Sequence, residues 1–167
     1  MRKQHFNILL VVVALVLLMS SWLVSQKAED SLKKGALLFP ELKNQLAKVS
    51  TVKIQGAGDK SFVELARQVS KDGDVSWSVV NREEYPANFN QLKNMLMSLA
   101  GTKLQEGKTK NPQNYSSLGV RNISDAESEA LSLTVFFDDN IPPMTLLVGK
   151  SAEKWNGQYV RFPDKQQ

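Results

Sequence analysis

The stretch Val75-Ser76-Trp77-Ser78-Val79, followed by Tyr85-Pro86-Ala87-Asn88 and then Phe89 to Gly101, decides how the chain is read. Its first part alternates apolar and polar residues with period two, the mark of a strand with one buried face, so Trp77 and Val79 are expected inward and Ser76 and Ser78 outward. Its second part changes period. Phe89, Leu92, Leu96 and Leu99 recur at helical spacing with Met95 beside them, Asn88 stands at the N-cap with Gln91 as a capping-box partner, and Gly101 ends the run. A strand passing directly into an amphipathic helix predicts an α+β domain.

Upstream, Thr51-Val52-Lys53-Ile54-Gln55 also alternates and ends at Gly56-Ala57-Gly58-Asp59. Ser61 to Val69 fits either a short helix or a strand, and the Lys71-Asp72-Gly73-Asp74 turn after it favours a hairpin, giving a three-stranded meander over 51–80. Before it, Leu42, Leu46 and Val49 after Pro40 predict a short helix at about 40–48. Downstream, Leu104 opens a further short strand, Tyr115 to Gly119 reads as one helical turn stopped by glycine, and strands are expected over Leu131–Phe137, Met144–Val148 and Gln158–Phe162. The expected domain therefore has two mainly antiparallel strand groups with an amphipathic helix between them.

The N-terminus has a different character. Ile8 to Val24 reads ILLVVVALVLLMSSWLV without a charge, and with Phe6 and Asn7 it spans about 28 Å as a helix, close to the roughly 30 Å core of a bilayer. We expect residues 1–26 to be a tail and single transmembrane anchor, 27–39 a stalk, and 40–167 an exported domain. Arg2 and Lys3 on one side against Lys27, Lys33 and Lys34 on the other do not fix the orientation by count. The short charged tail and the folded bulk downstream favour a cytoplasmic N-terminus. A cleaved signal peptide is the competing reading. The run exceeds the usual length of about 7–15 apolar residues, and no Ala-x-Ala type of site follows it.

Composition narrows the chemistry. The 167 residues include no cysteine and one histidine, which excludes disulfides, thiolate zinc sites, iron–sulfur clusters and a histidine metal cluster. The net charge of +4 gives no polyelectrolyte for nucleic acid, and no cofactor is expected. Gly56-Ala57-Gly58-Asp59-Lys60-Ser61 lacks the glycine before lysine that a phosphate loop needs and reads as a turn. Asp125, Glu127, Glu129, Asp138 and Asp139 lie in turn-like stretches without calcium-loop spacing. No serine stands in a nucleophile motif, and His5 precedes the apolar run. Lys93, Lys103, Lys108 and Lys110 form either a basic patch or a solvated face; Trp77, Tyr85, Trp155 and Tyr159 line either a groove or the core rim.

Several phrases recur in order: Leu38-Phe39-Pro40-Glu41-Leu42, Trp77-Ser78-Val79 with Tyr85-Pro86-Ala87, Glu106-Gly107-Lys108-Thr109, Tyr115-x-x-Leu118-Gly119-Val120, Leu147-Val148-Gly149-Lys150 and Gly157-x-Tyr159-Val160-Arg161. Together they resemble the bacterial envelope family called domain of unknown function 4340, over essentially the whole of 1–167. The resemblance implies a single-pass inner-membrane protein with a periplasmic α+β domain, associated with gliding-motility-type ABC-transporter auxiliary proteins. It carries over no catalytic residues. Family members usually continue past the Tyr-Val-Arg phrase, so an unpaired sheet edge is expected near Phe162. The expected function is a non-enzymatic auxiliary subunit of an ABC-type export system with the membrane and transporter proteins as partners; the alternative is a module binding cell-wall glycan or lipid headgroups. The candidate interaction surface is Trp77, Tyr85, Lys108, Lys110, Tyr159 and Arg161.

Overall fold

A computed structural model of the chain describes residues 34–58, 62–153 and 156–163. The expected anchor, 1–26, lies outside these residues, as does most of the expected stalk. Among the described residues no helix is long and apolar enough to cross a membrane.

The elements follow in the order α1 (Leu42–Gln45), a 3-10 turn (Leu46–Lys48), β1 (Val49–Gln55), β2 (Phe62–Val69), β3 (Val75–Val79), β4 (Tyr85–Pro86), α2 (Phe89–Gly101), a second 3-10 turn (Pro112–Asn114), α3 (Tyr115–Leu118), β5 (Leu131–Phe137), β6 (Met144–Ala152) and β7 (Gly157–Arg161). The strands form one antiparallel sheet in the order β4-β3-β2-β1-β5-β6-β7. The domain is thus α+β, but the two expected strand groups are a single sheet. β1 joins them, pairing with β2 on one side and β5 on the other. The alternation of β1 specifies which side chains turn inward, whereas the partner on its second edge is found only after a long excursion in sequence, and pairing there removes an exposed edge.

Register explains the two faces. Val79, Leu65, Val52, Val135 and Met144 sit opposite one another across five strands and share a face. Side chains alternate along each strand, so the whole apolar set turns together. This face carries the core with Val52 at 0% exposure, and Leu42, Leu92, Leu96 and Ala100 of α1 and α2 pack into it. The opposite row is polar: Lys53 pairs with Glu64 at 3.7 Å, and the Thr134 and Thr145 hydroxyls lie 3.2 Å apart. Ser78, expected in solvent, is on this polar side but is buried, accepting a hydrogen bond from Gln68 Nε2 at 3.0 Å.

The folded body starts earlier than expected. Gly35 N–H donates to Leu104 O at 2.7 Å, Leu104 N–H to Ala36 O at 2.8 Å and Leu38 N–H to Thr102 O at 2.8 Å. The strand expected at Leu104 is reduced to this ladder with its single bridge between Leu37 and Lys103. Leu38 and Phe39 are buried, and the Phe39 ring meets Phe162 edge-on with centroids 5.4 Å apart. Leu38 and Phe39, placed in the stalk by sequence, belong to the core, and the backbone ladder of residues 35–38 with 102–104 leads the chain to them.

An apolar groove and an arginine-centred seam

Helix α2 begins as its sequence requires. Asn88 Oδ1 accepts the Gln91 N–H at 3.1 Å, satisfying one of the free amides of the first turn. Its buried stripe is Leu92, Leu96 and Ala100, with Met95 and Leu99 half-buried. Phe89, expected in that stripe, is 54% exposed. It stands instead on the flank of the helix with Lys93 and Met97, each one turn further along at positions four apart.

This flank does not close onto the sheet. Between it and β2–β3 runs a groove of about 380 Å³. Its helix wall is Phe89, Lys93 and Met97 and its sheet wall Arg67, Val75 and Trp77, and Leu46, Ala47, Val49, Leu92 and Leu96 complete the lining. Trp77 is opposite Arg67 in register, and Val75 opposite Val69, so these four share the helix-facing side. Val69 and Val75, on this side, are 62% and 58% exposed.

The two cations of the groove differ. Arg67 donates from Nη1 to Ala47 O at 2.8 Å and from Nη2 to Asp138, so its charge is compensated while it ties β2 to the 3-10 turn and the β5–β6 connection. Lys93 has no ion pair among the described residues.

A second construction lies at the far end of the sheet. Arg161 of β7 donates from Nε to Val120 O at 2.9 Å and from Nη2 to Asn122 Oδ1, and its guanidinium lies 4.6 Å from the Tyr115 ring centroid. Gly119 ends α3 at φ +69°, a conformation glycine adopts without penalty. It meets Gly149 of β6, where a Cβ would stand 2.4 Å from Leu118 O and 2.7 Å from Val120 Cγ1. Lys150 Nζ pairs with Glu129 at 2.8 Å alongside. The Tyr115–Val120, Leu147–Lys150 and Gly157–Arg161 phrases are therefore three sides of one packed seam.

The residues expected to share an interaction surface divide into two groups. Trp77 is buried in the groove wall and Tyr85, 70% exposed, lies on β4 at the sheet edge. Tyr159 and Arg161 are on β7, five strand spacings or about 24 Å from β3. Lys108 belongs to this second group: its ammonium donates to Glu106 Oε2 at 2.9 Å, and that hydrogen bond raises its pKa, with smaller contributions from the charges of Glu106 and Tyr159 against a lowering by desolvation. The Lys110 carbonyl accepts the Tyr115 hydroxyl at 3.3 Å. Arg161 has its donors turned inward to the seam, so its role here is architectural.

The sequence alone does not mark Phe89, Met97, Val75 and Arg67 as groove residues, and it groups Lys93 with lysines that lie elsewhere in the fold. The available signal was that Phe89, Lys93 and Met97 fall one position off the Leu92–Leu96 stripe. Among the described residues no three His, Cys, Asp or Glu side chains are grouped to hold a metal ion.

Fold and site together define a single-sheet α+β domain, with α1 and α2 over one face, α3 against the other at the β6–β7 end, and an apolar groove left between α2 and the sheet. The chain belongs to the family described as Domain of unknown function (DUF4340), whose model matches residues 77–167, from Trp77 in β3 through β7. The matched part contains the helix wall of the groove and Trp77 of its sheet wall, and the whole Arg161 seam. No curated protein and no solved structure matches the chain.

Proposed function

We propose that the chain is a non-enzymatic envelope protein that acts by binding, as an auxiliary subunit of an ABC-type export system, held at the bacterial inner membrane by its N-terminal anchor with the domain on the periplasmic side. The observation behind the binding role is the groove. Its lining consists of apolar side chains with Arg67 and Lys93, a set suited to holding a ligand and without a hydroxyl, thiol, imidazole or carboxylate. The seventeen-residue apolar run supports the anchor, and the family resemblance supports the link to export.

The alternative, recognition of a cell-wall polymer by Lys108 and Lys110, has less behind it, because Lys108 is engaged by Glu106. Cross-linking in intact cells at native expression, followed by extraction and identification of the conjugates, tests the leading reading. Subunits of one ABC-type transporter should be recovered. The chain recovered repeatedly on its own would overturn the export role.

A further inference from the structure

We infer that the groove takes a single acyl chain with an anionic head, a carboxylate or a phosphate monoester, and that Lys93 binds the head. This rests on the reading of the groove as a ligand site, and adds the class of ligand.

Three observations lead there. The first is size: about 380 Å³ is near the lower end of the roughly 300–1,000 Å³ found for small-molecule sites, room for one chain. The second is the kind of polar atom available. The Lys93 ammonium, the Arg67 guanidinium and the Trp77 indole N–H are all donors, and beyond the weak thioether of Met97 the lining side chains offer no acceptor. A peptide segment would bring amide N–H groups that need acceptors, and leaving them buried without partners is costly. An acyl chain has nothing to satisfy, and an anionic head accepts from donors only. The third is charge. Asp138 compensates Arg67, so the uncompensated charge on the groove wall is Lys93, set between Phe89 and Met97 on successive turns of α2. Its position on the exposed flank lets the head stay at the rim while the chain lies along Trp77 and leaves past Val75.

The test uses the full chain in lipid nanodiscs, photolabelled with dodecanoate, dodecyl phosphate and dodecyltrimethylammonium, each bearing a diazirine on the tail, with labelled residues located by peptide mass spectrometry. Both anions should label the Phe89–Met97 and Val75–Trp77 segments at roughly tenfold lower concentration than the cation, the size expected of one charge-assisted hydrogen bond at a partly exposed site. Lys93→Glu should reverse that order, and Lys93→Arg should keep it. Lys93 is an exposed helix residue, and unchanged melting of both variants separates lost binding from lost folding. Preference for one anion over the other identifies the carboxylate or the phosphate as the source. Equal labelling by all three probes would overturn the inference about the head and leave groove binding standing. No label in the groove from any probe, or label confined to residues 1–33, would overturn the groove as a ligand site together with the inference.

Discussion

Gly149→Ala should be one of the most damaging single-methyl changes in the domain, although it adds only one carbon. The added Cβ would sit 2.4 Å from Leu118 O, 2.7 Å from Val120 Cγ1 and 2.8 Å from Gly119 O. Two of these neighbours are backbone atoms, so no side-chain rotation relieves the contact. The α3–Gly119–Val120 segment must move off β6. Overpacking of this kind costs about 1–3 kcal/mol. The movement also carries Val120 O away from Arg161 Nε, now at 2.9 Å, and a hydrogen bond from a charged donor contributes about 1.5–3 kcal/mol. A destabilisation of about 3 kcal/mol follows, equivalent to a fall in Tm of roughly 10 °C for a domain of this size. Thermal melting of the full chain by circular dichroism measures it. Gly107→Ala is the control, since nothing lies within 4 Å of a Cβ there. Arg161→Ala should cost much less in the Gly149→Ala background than in the natural chain, because both changes break the same seam. A Gly149→Ala protein melting with the control, or strict additivity with Arg161→Ala, would refute the account of that seam.

Other perturbations have opposite signs. Glu83 and Glu84 both have positive φ, at +52° and +55°, in the turn closed by Tyr85 N–H to Arg82 O; replacing them by Asn-Gly should raise stability by about 1–2 kcal/mol in denaturant titration. Asn88→Ala removes the cap on Gln91 N–H and should lower stability by about 1 kcal/mol, with hydrogen exchange rising first at the start of α2. Glu106→Gln should bring the Lys108 ammonium down toward its ordinary value of 10.5, followed by NMR titration of the lysine side chain. Because Lys108 is raised in the folded chain, whatever the pair contributes is present below about pH 10.5 and is lost as pH rises through the raised value, so the variant and the natural chain should converge in stability at high pH.

Much of the element list was legible because it depends on neighbours in sequence. The meander over 51–80, the cap at Asn88, the glycine stop after Leu118 and the last three strands all follow from period, capping chemistry and turn residues. The Ser61–Val69 ambiguity was resolved by pairing: β2 lies between β1 and β3, where two ladders satisfy its backbone. The union of two strand groups into one sheet was not legible, since it turns on the distant contact of Val52 with Val135. In sequence Leu37-Leu38-Phe39 follows directly on polar residues, yet Phe39 finds Phe162 from the other end of the domain.

The site was less legible than the fold. Tyr85 and Arg161 are each notable as residues, but only their places on opposite ends of seven strands show that they serve different structures. Phe89 and Leu92 are both apolar residues of one helix. Which of them is core and which lines the groove depends on how far α2 is rotated over β2 and β3, and that rotation is set by the packing of Leu92, Leu96 and Ala100 against the sheet. The sequence by itself determined the strands, the caps, the charge and the absence of cysteine chemistry, because these are properties of residues and their near neighbours. Tertiary structure decided which strand edges meet, which lysine stands on an apolar wall and which glycines touch, because each of these is a distance between segments far apart in the chain.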